Sequence, residues 1–168
     1  MKAYELIRAI SPELAREILT YLQTETKEAF RTALVQIATQ RKFRPQFVQQ
    51  KTREQQQQWL LEHLRIKLYD GVAEQMLQLW LLKAKTPMLT AFLDGAEIKH
   101  DGKGQVDDLP EELTAKHAKA GIEAMLADNP AEQVALYLNI FQNQRPDGWK
   151  AITDIIEKRD ELKLVPRA

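Results

Sequence analysis

Apolar residues recur at three- and four-residue intervals through almost the whole chain, and each run is bounded by residues that start or stop helices. Leu14, Ile18 and Leu22 follow Ser11-Pro12, and Val134, Leu138 and Phe141 follow Asn129-Pro130. Phe30, Leu34, Ile37 and Ala38 share one face of a helix predicted from Thr26 to Gln40, which Arg44-Pro45 stops and restarts. In Ser11-Pro12, Thr86-Pro87 and Asn129-Pro130 a side-chain acceptor stands at the N-cap and a proline at the first helical position, where its missing N–H costs nothing. Glu132, three residues after Asn129, completes a capping-box pattern.

From Trp59 to Leu82 the apolar positions form two stripes. Leu61, Leu64, Leu68, Val72, Met76 and Leu79 make one, and Ile66, Tyr69, Ala73, Leu77 and Trp80 the other. A helix apolar on two sides must be covered on two sides, so this segment is expected to be the most buried, with a break near Asp70-Gly71. A second copy of the chain is an alternative cover, which makes a homodimer one expected assembly.

The pattern leaves helix between Gly95 and Asp108. There Asp101-Gly102-Lys103-Gly104 has the turn chemistry of a small β-hairpin over residues 96–107, held down through Ile98 and Val106. Beyond it, Thr114 opens a helix to Ala127, and Asp147-Gly148 opens a last one with Trp149, Ile152, Ile155 and Ile156 inward. Helix-starting prolines at 12, 45, 87 and 130 suggest a helical repeat, but their flanks do not repeat. The expected fold is a single all-α domain over residues 1–168, an irregular multi-helix bundle with a hairpin insert.

Composition narrows the function classes. The 168 residues include no Cys, which removes disulfides, thiolate nucleophiles and cysteine-held metals. No apolar run reaches membrane-spanning or signal-peptide length, so the expectation is a soluble cytoplasmic protein without a membrane partner. Leu164-Val165-Pro166-Arg167 resembles half of a thrombin recognition site and carries no functional weight. The 24 basic and 24 acidic residues balance, yet residues 1–84 hold 13 Lys/Arg against 9 Asp/Glu and residues 85–168 hold 11 against 15. Such halves attract one another, within a chain or between copies, wherever their faces touch.

The sharpest local feature is charge. From Ala29 to Arg53 the chain carries Arg31, Arg41, Lys42, Arg44, Lys51 and Arg53 without one Asp or Glu. Arg41, Lys42, Arg44, Lys51 and Arg53 are therefore the candidate contacts for an anion or a partner. Phe43 and Phe47 lie among them. Aromatic rings among cations suit single-stranded nucleic acid, but their four-residue spacing predicts that they pack inward at the junction of two helices. Seven of the thirteen residues from Gln46 to Gln58 are Gln, expected on a solvated helix face.

Other chemistry is thin. Aligning Gly104 with the sharp-turn glycine of a calcium loop puts Lys99, Lys103 and Pro110 where oxygen ligands are required. His63, His100 and His117 form no metal-binding spacing. His63 reads as a boundary residue, His100 as exposed and His117 as solvated. No nucleophile elbow, P-loop or dinucleotide fingerprint occurs, so no catalytic residue, cofactor or metal is assigned.

Pro87 to Asp94, with Ile98 to Gly104 and Val134 to Leu138, resembles a bacterial family of small helical proteins of unknown function. The resemblance spans about a third of the chain and implies no activity. The expected function is a non-enzymatic protein-interaction or adaptor domain with a protein partner. Weak single-stranded nucleic-acid binding through residues 41–53 ranks second. Small-molecule binding, or an enzyme whose site is assembled from distant residues, ranks third.

Overall fold

A computed structural model describes residues 1–167. Among the described residues, ten α-helices and two 3-10 turns take 69% of the chain and no strand occurs. The all-α expectation holds, and the hairpin does not form. The described chain divides into two compact units, residues 2–80 with Pro166 and Arg167, and residues 81–165 with Met1.

The first unit contains α1 (Ala3–Ala9), α2 (Pro12–Glu25), α3 (Lys27–Gln40), α4 (Pro45–Gln49), α5 (Arg53–Leu64) and a 3-10 turn at Lys67–Tyr69, followed by α6 (Asp70–Ala84) as far as Trp80. Ser11 caps α2 as its sequence predicts, accepting from the Leu14 amide at 3.2 Å. Phe30, Leu34, Ile37 and Ala38 of α3 are all buried. The glutamines are not simply solvated. The Gln23 amide donates to Gln56 Oε1 at 3.1 Å, Gln57 donates to Gln23 Oε1 at 2.7 Å, and Gln56 donates to the Val48 carbonyl at 3.2 Å. Gln23 is buried, so this lattice satisfies polar groups that would otherwise destabilise the contact of α2 with α5.

The Trp59–Leu82 segment is not one helix covered on both sides. It breaks over residues 65–69, just before Asp70-Gly71, leaving Ile66 41% and Leu68 72% exposed while Leu64, Tyr69, Val72, Ala73, Met76, Leu77 and Trp80 are buried. The break has visible partners. Asp70 Oδ1 accepts from the Tyr4 amide at 3.0 Å, satisfying a donor in the first turn of α1. His63 is buried rather than at a boundary: its Nδ1 bonds the Trp59 carbonyl at 2.7 Å and its ring lies 4.1 Å from that of Trp59. At the chain's end the Arg167 amide donates to the Arg8 carbonyl at 3.1 Å, which ties Arg167 to α1.

The second unit contains α7 (Thr86–Gly95), α8 (Ala115–Leu126), α9 (Ala131–Gln142), α10 (Lys150–Lys158) and a 3-10 turn at Asp160–Leu162. Its centre is α9, buried without interruption from Gln133 to Phe141. That helix, not the Trp59–Leu82 segment, is the most enclosed. The sequence signal was the absence of any charge from Gln133 to Gln144. Burial pushes the Tyr137 phenol up from its ordinary value. Phe92, Tyr137, Phe141 and Trp149 form one aromatic cluster, with Phe141 and Trp149 stacked at 4.3 Å. Helices α7 and α8 approach so closely that a Cβ on Gly121 would stand 2.7 Å from the Phe92 ring.

Two predicted caps act differently. Asn129 does not cap α9, which starts at Ala131; its amide donates instead to the Met125 carbonyl at 2.9 Å, satisfying an acceptor in the last turn of α8. Thr86 lies inside α7 and its hydroxyl donates to Leu82 O at 2.7 Å. Thr114 caps α8 as predicted, accepting from the His117 amide at 3.2 Å. Of the last helix's apolar residues, Trp149 and Ile152 are buried while Ile155 and Ile156 are half-buried.

Residues 96–107 form a cap and a turn in place of the hairpin. Ile98 donates its amide to Leu93 O at 2.8 Å and Glu97, at φ 57°, to Asp94 O at 3.1 Å, which closes α7 in a Schellman motif. Asp101 Oδ1 then accepts from the amides of Lys103 at 2.7 Å and Gln105 at 3.1 Å, donors that a strand ladder would have used. Gly102 and Gly104 supply the left-handed turns, at φ 82° and 89°. His100 is largely covered. Its Nδ1 accepts from the Gly102 amide at 3.0 Å, which leaves Nε2 to donate to Asp94 at 2.6 Å. His117 is half-exposed and pairs with Glu97 at 2.9 Å.

The amides of Lys103 and then Gln105 hold the Asp101 carboxyl below its ordinary 3.8. A depressed folded pKa stabilises the turn above the unfolded value, and that contribution is lost as pH falls through the folded one. Amide protection at Lys103 and Gln105, measured by hydrogen exchange against the unfolded chain, should therefore fall as pH is lowered past the ordinary 3.8 and through the depressed folded value. Asp101→Asn should remove this pH dependence.

Candidate functional site: a basic, aromatic corner

The segment singled out by charge forms the corner where α3 passes into α4. α3 ends in a second Schellman motif: the Phe43 amide donates to Ala38 O at 2.8 Å and the Lys42 amide to Thr39 O at 3.0 Å. The left-handed position that glycine usually takes is held by Lys42, at φ 59°. A side chain there costs about 1–2 kcal/mol relative to a right-handed residue. Lys42→Gly should thus raise stability by about 0.5–1 kcal/mol in a urea melt, although it removes a charge from the corner. No gain, or a loss, would show that the Lys42 side chain stabilises the fold.

The two phenylalanines do not pack inward. Phe43 is 39% and Phe47 48% exposed, and their rings stack on each other at 5.0 Å. Arg41 stands over the Phe43 ring at 5.8 Å and Lys51 over the Phe47 ring at 4.6 Å. Such exposed cation–π contacts contribute about 0.5–1 kcal/mol each, enough to bias the side chains and too little to fix them. The inward place at this junction is taken by Val48, which is fully buried. A short helix of one and a half turns has one inward face, and Phe47, the neighbour of Val48, must point elsewhere.

The structure therefore groups most of the candidate residues. Arg41 and Lys51 flank the rings, Lys42 tops the cap, and Arg44 is exposed at the start of α4. Arg53 is set apart: its guanidinium donates to Thr24 Oγ1 at 3.0 Å, on α2. Arg31 joins the corner instead, on the rim of a hollow of about 430 Å³ between α3 and α4, lined also by Thr32, Val35, Gln36, Pro45 and Gln49. No Asp or Glu lies between Ala29 and Arg53 in the sequence. Arg41, Lys42 and Arg44 make no ion pair among the described residues.

The polar side chains of the corner are guanidinium, ammonium, amide and hydroxyl, groups that donate hydrogen bonds to anions and carbonyls. Phe43 and Phe47 were misplaced because helical spacing alone does not say which of several apolar residues near a short helix wins the inward position. No family model, no curated protein and no solved structure matches this chain.

Proposed function

We propose that this protein is a non-enzymatic interaction module whose α3–α4 corner binds a protein segment carrying both carboxylates and an apolar side chain. The observation that carries the reading is the exposed Phe43–Phe47 stack set among unpaired cations. Exposed aromatic rings beside arginine are the composition of protein contact surfaces, where the ring supplies the desolvated centre and the cations the orientation. The hollow beside it offers Val35 and Pro45 to an apolar side chain, with Arg31 placed to meet a carboxylate. Among the described residues, no helix is long and apolar enough to cross a membrane.

Single-stranded nucleic acid is the second reading, because cations interleaved with exposed aromatics also suit a phosphate backbone and its bases. The ring geometry favours protein. Each ring has one face against the other ring and a cation over it, so a base that stacks there gives up a cation–π contact of about 0.5–1 kcal/mol.

A salt titration separates the two. The protein-partner reading expects negligible binding of single-stranded RNA or DNA at physiological salt. The nucleic-acid reading expects three to five phosphate contacts and a slope of roughly −2 to −3.5 in log affinity against log salt. Tight, salt-steep binding that disappears in an Arg41→Glu, Lys42→Glu, Arg44→Glu variant would reverse the order of the two readings.

A further inference from the structure

Away from the corner, α2 and α5 enclose a groove of about 980 Å³. Its register follows from the bonds that cross it: Arg53 reaches Thr24 at 3.0 Å, and Gln57 reaches Thr20 at 3.4 Å. The helices thus run antiparallel, and continuing the same register sets Leu61 level with Arg16 and Arg65 level with Pro12. All four line the groove. Arg16 and Arg65 stand on opposite walls, about 6 Å apart along the helix axis, one turn.

Two cations so placed repel each other unless something anionic lies between them. Among the described residues, no acidic side chain lines the groove near these two arginines. Neither arginine makes an ion pair among the described residues, and Arg65 Nε is buried without a hydrogen-bond acceptor. Glu54 is the one acidic residue lining the groove, about 16 Å along α5 from Arg65 and beside Arg53 at the opposite end. Glu13 and Glu17 line a neighbouring depression whose rim Arg16 shares. The middle of the groove carries Leu19 and Leu61 with Thr20, Gln57 and Gln58, a mixture of apolar surface and uncharged donors typical of small-ligand sites.

We propose that this groove binds a small anionic ligand whose phosphate or carboxylate group is held between Arg16 and Arg65. An oxyanion lying between the two walls takes charge-assisted hydrogen bonds from the guanidinium groups on both sides. The body of the ligand lies along Leu61 and Leu19. The site is independent of the α3–α4 corner, and neither reading depends on the other.

The test is calorimetric titration of the whole protein with inorganic phosphate and, separately, with succinate, at constant ionic strength set by sodium chloride. Saturable binding of phosphate alone supports the inference and identifies a phosphorylated ligand; binding of succinate alone supports it and identifies a carboxylate. Arg16→Gln should weaken that binding by about tenfold or more, and Arg65→Gln likewise, while Arg41→Gln leaves it unchanged. Arg16 is exposed, so its variant should fold, and an unchanged melting temperature without added anion confirms this. Saturation by neither anion, or equal binding in the Arg16→Gln variant, would overturn the inference.

Discussion

Trp149→Ala should lower stability by about 3–5 kcal/mol, among the largest effects of any single substitution here. The indole is fully buried, stacks on Phe141 at 4.3 Å with ring planes only 6° apart, and donates Nε1–H to the Pro110 carbonyl at 3.1 Å. Truncation leaves a cavity at the centre of the second unit and deprives the 109–113 segment of its anchor. The other anchors of that segment are the buried Leu113 side chain and the Leu113 amide, bonded to Gly148 O at 3.3 Å. Gly148 permits the contact, because a Cβ there would collide with the Glu111 carbonyl oxygen. Trp149→Phe, which keeps the stack and loses the N–H, should cost about 1–3 kcal/mol. Urea melts check both, and a loss below about 1 kcal/mol for the alanine variant would show that the cluster is not part of the cooperative core.

The second large effect is a contrast. Leu77→Ala should cost about 2–5 kcal/mol, whereas Leu68→Ala should change stability by less than about 0.5 kcal/mol. Both leucines fall on the apolar stripes that the sequence sets between Trp59 and Leu82. Only Leu77 is buried, while Leu68 is 72% exposed on the turn between α5 and α6. Equal losses in urea melts would mean that the helix continues through residues 65–69 and that both stripes are covered.

These cases show what the sequence makes legible. Long periodic faces such as Phe30-Leu34-Ile37-Ala38 were readable because every residue in them obeys one period, and Ser11 and Thr114 because their caps are local. The hairpin failed for a physical reason. Asp101 bonds the amides of Lys103 and Gln105 with its side chain, and nothing in a run of turn-forming residues distinguishes that from a strand ladder. Asn129 and Thr86 failed because a side chain before one helix can equally satisfy the carbonyls of the helix it follows.

The corner was legible as charge and illegible as shape. The absence of acids from Ala29 to Arg53 is a property of the sequence. That Phe47 faces solvent depends on Val48 taking the inward place, which only packing decides. Arg16 and Arg65 are far apart in the chain, and only the register of α2 against α5 brings them to one groove.

The account rests most heavily on the corner as a binding surface for protein, and cross-linking from that surface tests it most directly. With a photo-reactive benzoyl-phenylalanine in place of Phe47, irradiation in the source cell should yield a discrete protein adduct that resists nuclease. The adduct should be lost when Arg41, Lys42 and Arg44 are reversed to Glu, and should not form from the same photo-reactive group at Glu74, an exposed position on α6. A nuclease-sensitive adduct, or labelling at Phe47 no stronger than at Glu74, would contradict the account.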